Sequence, residues 1–295
     1  MNALAAGWAG LPGNVRGAVF ILLASIGFPA MGALSRILGD RLHSFEISFA
    51  RAFFGFLLLL PLFWRDGFSL LRTDRLGTHV VRSICGTVGL LCGFYAYNHM
   101  ALADAVAISF TKPLFMVVLA ALMLHETVRR RRWLATAAGF AGVAIMLRPG
   151  DGVIDPAALV ALLGALAASF VAILIKQLVA TERKATILAY LGIISTILTG
   201  IPAWFVWQTP TLHEILLMVA MASVGSLSQL LMMHGYKLGE ASALAPFDYA
   251  RLPVAAIYGA LIFSEQPDIH TYAGGVVIVF ATFYLARLEQ SSRTR

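Results

Sequence analysis

Apolar runs close to twenty residues long recur from one end of this chain to the other. They cover 16–38, 44–63, 77–98, 101–124, 132–148, 156–179, 184–206, 212–235, 239–263 and 270–288. A hydrocarbon core about 30 Å thick takes about twenty residues of helix to cross. Lipid offers backbone N–H and C=O groups no partners, so segments of this length must be helices; barrel strands would alternate and be half as long. The chain is predicted to be an all-α membrane protein with ten transmembrane helices. Composition agrees, with 59% hydrophobic and 13% charged residues, where soluble domains are about 45–50% apolar.

One stretch is written twice. Residues 101–126, ALADAVAISFTKPLFMVVLAALMLHE, are echoed at 238–265 by LGEASALAPFDYARLPVAAIYGALIFSE. Each copy has an acid (Asp104, Glu240), then a Phe (Phe110, Phe247), then a cation just ahead of a proline (Lys112 and Pro113; Arg251 and Pro253), an apolar run and a closing Glu (Glu126, Glu265). An apolar segment follows each, containing GFAGV at 139–143 and AGGVV at 273–277. Such echoes mark repetition of one architecture, and the chain divides into repeats at 1–150 and 151–295. Five spans per repeat is an odd number, so the second repeat enters the membrane from the opposite side. Inverted repeats related by an axis in the membrane plane are the plan of secondary transporters, whose sites lie near the midplane on interrupted helices.

Cations set the expected orientation. With the N-terminus inside, fourteen Lys and Arg residues fall in the inner segments, among them Arg129–Arg132, against Arg41 and Arg148 outside. This bias places both termini in the cytoplasm. It also accounts for most of the net charge of +7 without a nucleic-acid partner, for which no motif is present. The first apolar run is the first span itself, so no cleaved signal peptide is expected. Cys85 and Cys92 lie seven residues apart in one span, too far along a helix to bridge and without partners spaced for a metal. No Walker loop, nucleophile elbow or dinucleotide fingerprint appears. Neither an enzyme nor a cofactor is expected.

The AISFTKPLF segment with its closing LHE, the GFAGV helix followed by RPG, and the echo ASALAPFDYARLP with its closing FSE resemble the drug/metabolite transporter superfamily. The likeness is nearest to the bacterial ten-helix exporters with paired EamA domains and covers essentially the whole chain. It implies a central cavity built mainly by the first four helices of each repeat, with the fifth and tenth behind. It also implies a small-metabolite cargo, amino acids above all, aromatic or hydrophobic ones among them, with S-adenosylmethionine or an organic cation as the alternative. It implies a multi-pass protein of the bacterial inner membrane, here taken as a monomer. Lys112 departs from the small or neutral residue expected at its place.

Charge inside hydrocarbon is costly and usually faces a bundle interior or a wet cavity. The inner charged set is Arg51, Arg82, Lys112, Asp248 and Arg251. Lys112, Asp248 and Arg251 are the candidate substrate-binding charges, joined by Tyr249, Gln229, Tyr95 and Arg82. Asp248 and Arg251 are three residues apart and share a helix face; a permanent Lys112–Asp248 lock is the structural alternative. Pro113, Pro246 and Pro253 are expected to loosen their helices and act in gating. Arg51 is expected to serve structure, Arg36 and Lys176 to snorkel to the interface, and His79 to be an ordinary core residue.

Overall fold

The computed structural model describes residues 12–58, 60–61, 67, 71–123, 130–147, 155–179, 181–238, 244, 247–266 and 268–293. Every regular element among them is helical: α1 (Gly13–Gly39), α2 (Ser44–Leu57), α3 (Leu76–His99), α4 (Leu102–Ser109), α5 (Lys112–Met123), α6 (Arg130–Leu147), α7 (Pro156–Val179), α8 (Lys184–Phe205), α9 (Leu212–Leu238), α10 (Arg251–Phe263) and α11 (Ile269–Arg293). Six apolar stretches are long enough to cross a membrane, one of them running through both α4 and α5, while 251–263 and 269–284 are shorter apolar helices.

Polarity is arranged inside out. Phe205 and Trp204 are 82% and 79% exposed, whereas Ser25, Ser35, Ser48, Ser83, Ser169 and Thr199 are wholly buried. An exposed apolar surface over buried hydroxyls suits hydrocarbon surroundings. Many inner hydroxyls donate to a carbonyl of the preceding turn, as Thr87 does to Ser83 and Thr199 to Ser195, which satisfies them without water.

Three crossings carry the most extensive packing: α1 on α9, α3 on α7, and α6 on α11. Each includes a close pair of glycines. A Cβ at Gly235 would meet the Gly17 carbonyl at 2.9 Å, one at Gly89 would lie 3.6 Å from the Gly164 carbonyl, and one at Gly274 would lie 2.5 Å from that of Gly142. Close backbone approach replaces the hydrophobic drive that is missing between helices in lipid. The last pair brings the GFAGV and AGGVV segments face to face. Numbering the predicted spans one to five within each predicted repeat, α1–α9 joins first to third and α7–α3 does the same with the repeats exchanged. The contacts α2–α8, α4–α10 and α6–α11 join like with like.

The fourth and ninth predicted spans are not continuous helices. Between α4 and α5 the chain turns through Phe110 and Thr111, held by Phe110 N–H to Ala107 O at 3.1 Å and Thr111 N–H to Ile108 O at 2.9 Å. Ahead of α10, Tyr249 and Ala250 make the matching turn, with Leu252 N–H to Tyr249 O at 3.0 Å. Helix α4 is the most enclosed, packing with Phe110, Val143, Ala255 and Ile278 in one core. Helices α6 and α11 lie against each other and against α4 and α5.

Candidate functional site

The two breaks give the echoed cations equivalent addresses. Lys112 is the first residue of α5 and Arg251 the first of α10, and Pro113 and Pro253 stand in the opening turns of the same helices. In a first turn the missing proline N–H costs no hydrogen bond. The ring instead excludes helical continuation four residues back, at Ser109 and Tyr249, where the breaks begin. The prolines therefore stand at helix starts, directly after the breaks. Pro246 lies outside the described residues.

Carbonyls at and next to the breaks also accept from neighbouring helices. Thr282 on α11 donates to Phe110 O at 3.3 Å, Ser25 on α1 to Phe247 O at 3.3 Å, and Ser169 on α7 to Lys112 O at 2.9 Å. Buried polar backbone left without such partners would cost several kcal/mol per group in lipid. The breaks are thus supported features of the fold.

Arg251 and Asp248 form the ion pair that their spacing predicted, with Arg251 Nη2 2.6 Å from Asp248 Oδ1. The guanidinium also lies over the Phe28 ring of α1, 4.2 Å from its centroid, and reaches Met232 Sδ of α9 at 3.1 Å. A flat cation beside one carboxylate and over one aromatic face keeps N–H donors for a further ligand. Lys112 is near enough to feel the charges of both Arg251 and Asp248. It makes no ion pair among the described residues, so the Lys112–Asp248 lock is absent from this conformation. Each cation also stands at the positive end of a helix dipole, equivalent to about half a charge. The region is anion-seeking, with Asp248 as its single acid among these residues.

Tyr249 packs its ring 5.1 Å from that of Phe110, joining the two breaks. Gln229 is half-buried on α9, one turn from Met232. The other candidates lie elsewhere. Tyr95 stacks on His99 of its own helix at 3.9 Å, while Tyr97, on the opposite side of α3, packs into the central cores with Tyr249 and Leu252 and feels the Arg251 charge. Both tyrosines belong to FYAYNHM, and helical periodicity against Phe94 would have separated them. Arg82 is buried between α3 and α8, its Nη1 donating to Ile187 O at 3.4 Å. It belongs with His79, which is fully buried, stacks on Tyr190 at 4.6 Å and lies 3.9 Å from a Glu182 oxygen. Among the described residues nothing joins Arg82 to the Lys112–Arg251 region.

A second polar assembly gathers where α1, α3, α8 and α10 end and α2, α4 and α9 begin. Arg36 pairs with Glu265 and lies over Phe263 at 4.6 Å; it is a bridging residue and does not merely snorkel. Glu265 Oε2 also accepts from the Leu102 N–H at 3.1 Å, capping α4. Arg41 binds both oxygens of Glu214, Nε to Oε1 at 2.6 Å. Glu46, 1% exposed, accepts from Gln208 N–H at 2.7 Å and from His43 N–H at 3.0 Å. Side-chain residues at 36, 41, 46, 214 and 265 thereby tie the two repeats across one end of the bundle.

Apolar helices broken so that cations stand inside a multi-pass bundle are the plan of a membrane transporter. The chain belongs to the EamA-like transporter family, whose model matches it twice, over residues 15–148 and 155–287. It is similar to the S-adenosylmethionine uptake transporter of Rickettsia bellii, 33% identical over 94% of this chain and 95% of that one. Similar too are the riboflavin transporter of Brucella anthropi, 29% identical over 93% of this chain and all of its relative, and the pseudopaline exporter of Pseudomonas aeruginosa, 31% identical over 93% and 97%. A crystal structure with 17% sequence identity aligns over 95% of this chain and 98% of its own at a TM-score of 0.63, a likeness of fold alone.

Proposed function

We propose that this protein is a secondary transporter that exports amino acids across the bacterial inner membrane by alternating access, binding them at the α5 and α10 helix starts. Ten spans in two inverted repeats, 1–150 and 151–295, with both termini cytoplasmic, are part of this reading. The exchange pattern of the helix crossings and the cation bias of the loops support it. The observation that carries it is that Lys112 and Arg251 each open a helix directly after a turn, at Phe110–Thr111 and at Tyr249–Ala250. These cations and the helix dipoles meet a carboxylate, Asp248 meets an ammonium, and the surrounding Phe28, Tyr97, Phe110, Tyr249 and Met232 accept an apolar side chain. In this reading Tyr249 and Gln229 line the site, and Tyr95 and Arg82 are outlying members of the set.

S-adenosylmethionine is the second reading. It carries the same amino-acid head group, and the named function of the Rickettsia bellii relative supports it. Proteoliposomes holding the purified chain decide between them. Labelled amino acids and labelled S-adenosylmethionine are offered in turn, each against an excess of the other. Saturable flux of an amino acid that S-adenosylmethionine does not displace supports the first reading. Flux of S-adenosylmethionine alone replaces it with the second, and flux of neither rejects both.

A further inference from the structure

Arg51 on α2 differs from Arg36, Arg82 and Arg251. Arg36 has Glu265, Arg82 the Ile187 carbonyl and Arg251 the Asp248 carboxylate. Arg51 has neither ion pair nor hydrogen bond among the described residues, and its Nε, like those of Arg82 and Arg251, is buried without an acceptor.

Its surroundings are shaped to hold it. A Cβ at Gly55, one turn along α2, would lie 2.5 Å from Arg51 Nη1, and one at Gly225 on α9 would lie 2.9 Å from Nε and 3.3 Å from Nη2. Met31 Sδ and Ser226 Oγ border the same niche. Glycines at both contacts leave room for a planar guanidinium where any larger residue would strike it. A guanidinium offers five N–H donors and no acceptor, and a charge held in a membrane bundle without a partner is strongly disfavoured. A niche that accommodates such a group without supplying its counter-charge is completed by an anion from outside the chain.

The niche shares a seam with Arg251. Phe28, under Arg251, and Met31, beside Arg51, are one turn apart on α1; Met232 and Gly225 are two turns apart on α9. At 1.5 Å per residue the two guanidiniums are offset by about 5–10 Å along the seam, the reach of a short dicarboxylate.

We propose that Arg51 receives a second carboxylate of the cargo, so that the site takes amino acids with an acidic side chain in preference to their amides. The inference rests on the Lys112–Arg251 region receiving the first carboxylate. The test is isothermal titration of the purified full chain in nanodiscs with glutamate and 2-aminoadipate and with the matched side-chain amides. Wild type should bind at least one diacid about tenfold tighter than its amide, about 1.4 kcal/mol. Arg51→Gln should bring that pair together while leaving the amide's affinity unchanged, and Arg51→Lys should keep part of the preference. Gly225→Ala, which drives a methyl into the niche without removing the charge, should also lose it. Equal binding of diacid and amide by wild type overturns the proposal while leaving the first carboxylate site intact. So does a folded Arg51→Gln that keeps the preference, or one that loses the amide as well, since Arg51 would then serve the first site. Binding of neither compound by wild type rejects the underlying site together with the inference.

Discussion

Glu265 folds back over Gly259: a Cβ at that glycine would lie 2.5 Å from Glu265 Oε2. The reversal follows from Ser264, which caps α10 at φ 54°, in the left-handed region, and from Glu265 N–H bonding to Gly259 O at 3.0 Å. Only with this turn does the carboxylate reach both Arg36 and the start of α4. A closing Glu that reads as an ordinary helix-end acid thereby joins α1, α4 and α10.

Removing that carboxylate should loosen one end of the bundle. Glu265→Ala leaves Arg36 without its acid and the Leu102 N–H without its acceptor, which for charged hydrogen bonds costs about 1.5–3 kcal/mol. Glu265→Gln retains the Leu102 bond and should lose less. Thermal unfolding in detergent measures both, and an unchanged midpoint for Glu265→Ala would show that the assembly does not hold the end closed.

Lys112→Ala should give a folded protein whose amino-acid flux falls at least about tenfold, equivalent to about 1.4 kcal/mol, with discrimination against the amino-acid amide shrinking too. Asp248→Ala should act differently. It leaves Arg251 with an aromatic face and a thioether but no acid, so stability should fall along with transport. The Lys112→Ala, Asp248→Ala double variant should not recover, because these residues are not each other's partners here. Recovery of flux with unchanged carboxylate preference would restore the lock and remove the binding role.

Pro113 and Pro253 define where α5 and α10 begin, so alanine at either allows the preceding helix to run on through the break. Expression should stay near normal while transport slows, as Lys112 or Arg251 is carried round onto a continuous helix. Full-rate flux in both variants would mean that the breaks persist without the prolines and that gating does not depend on them.

The glycine crossings separate two kinds of substitution. Gly274→Ala places a methyl 2.3 Å from Met146 Cγ and 2.5 Å from the Gly142 carbonyl, and such overpacking costs about 1–3 kcal/mol. Gly93→Ala meets nothing within 4 Å and should stabilise α3 by about 0.5–1 kcal/mol through lower chain entropy. Unfolding in graded SDS ranks the variants, and equal effects would argue against the close α6–α11 approach.

Orientation is testable with single cysteines. Thiol reagents applied outside intact cells should label residues placed at 208–211, next to the Glu46–Gln208 and Arg41–Glu214 contacts, and miss 129–132. Labelling of the arginine segment would invert the proposed orientation and place the Arg36–Glu265 assembly inside.

The sequence by itself determined the helical class, the membrane setting, the repetition and the family, because each depends on composition and period along the chain. Twenty apolar residues in lipid have no alternative to a helix, and an echo of acid, Phe, cation and proline is visible without coordinates. The Asp248–Arg251 pair was equally readable, being local to one turn. Tertiary structure alone decided which groups meet across helices. Tyr97 shares a face with Phe94 by helical period, but that this face and not that of Tyr95 turns to the centre follows from how α3 packs. Arg82 sits with His79 and Glu182 because α8 supplies the Ile187 carbonyl, a backbone atom that no residue pattern advertises. Arg36 found Glu265 through the turn at Ser264, and Arg51 found two glycines in place of an acid. Contacts of this kind depend on side chains far apart in the chain arriving at one depth and one face, which follows only from how the helices cross.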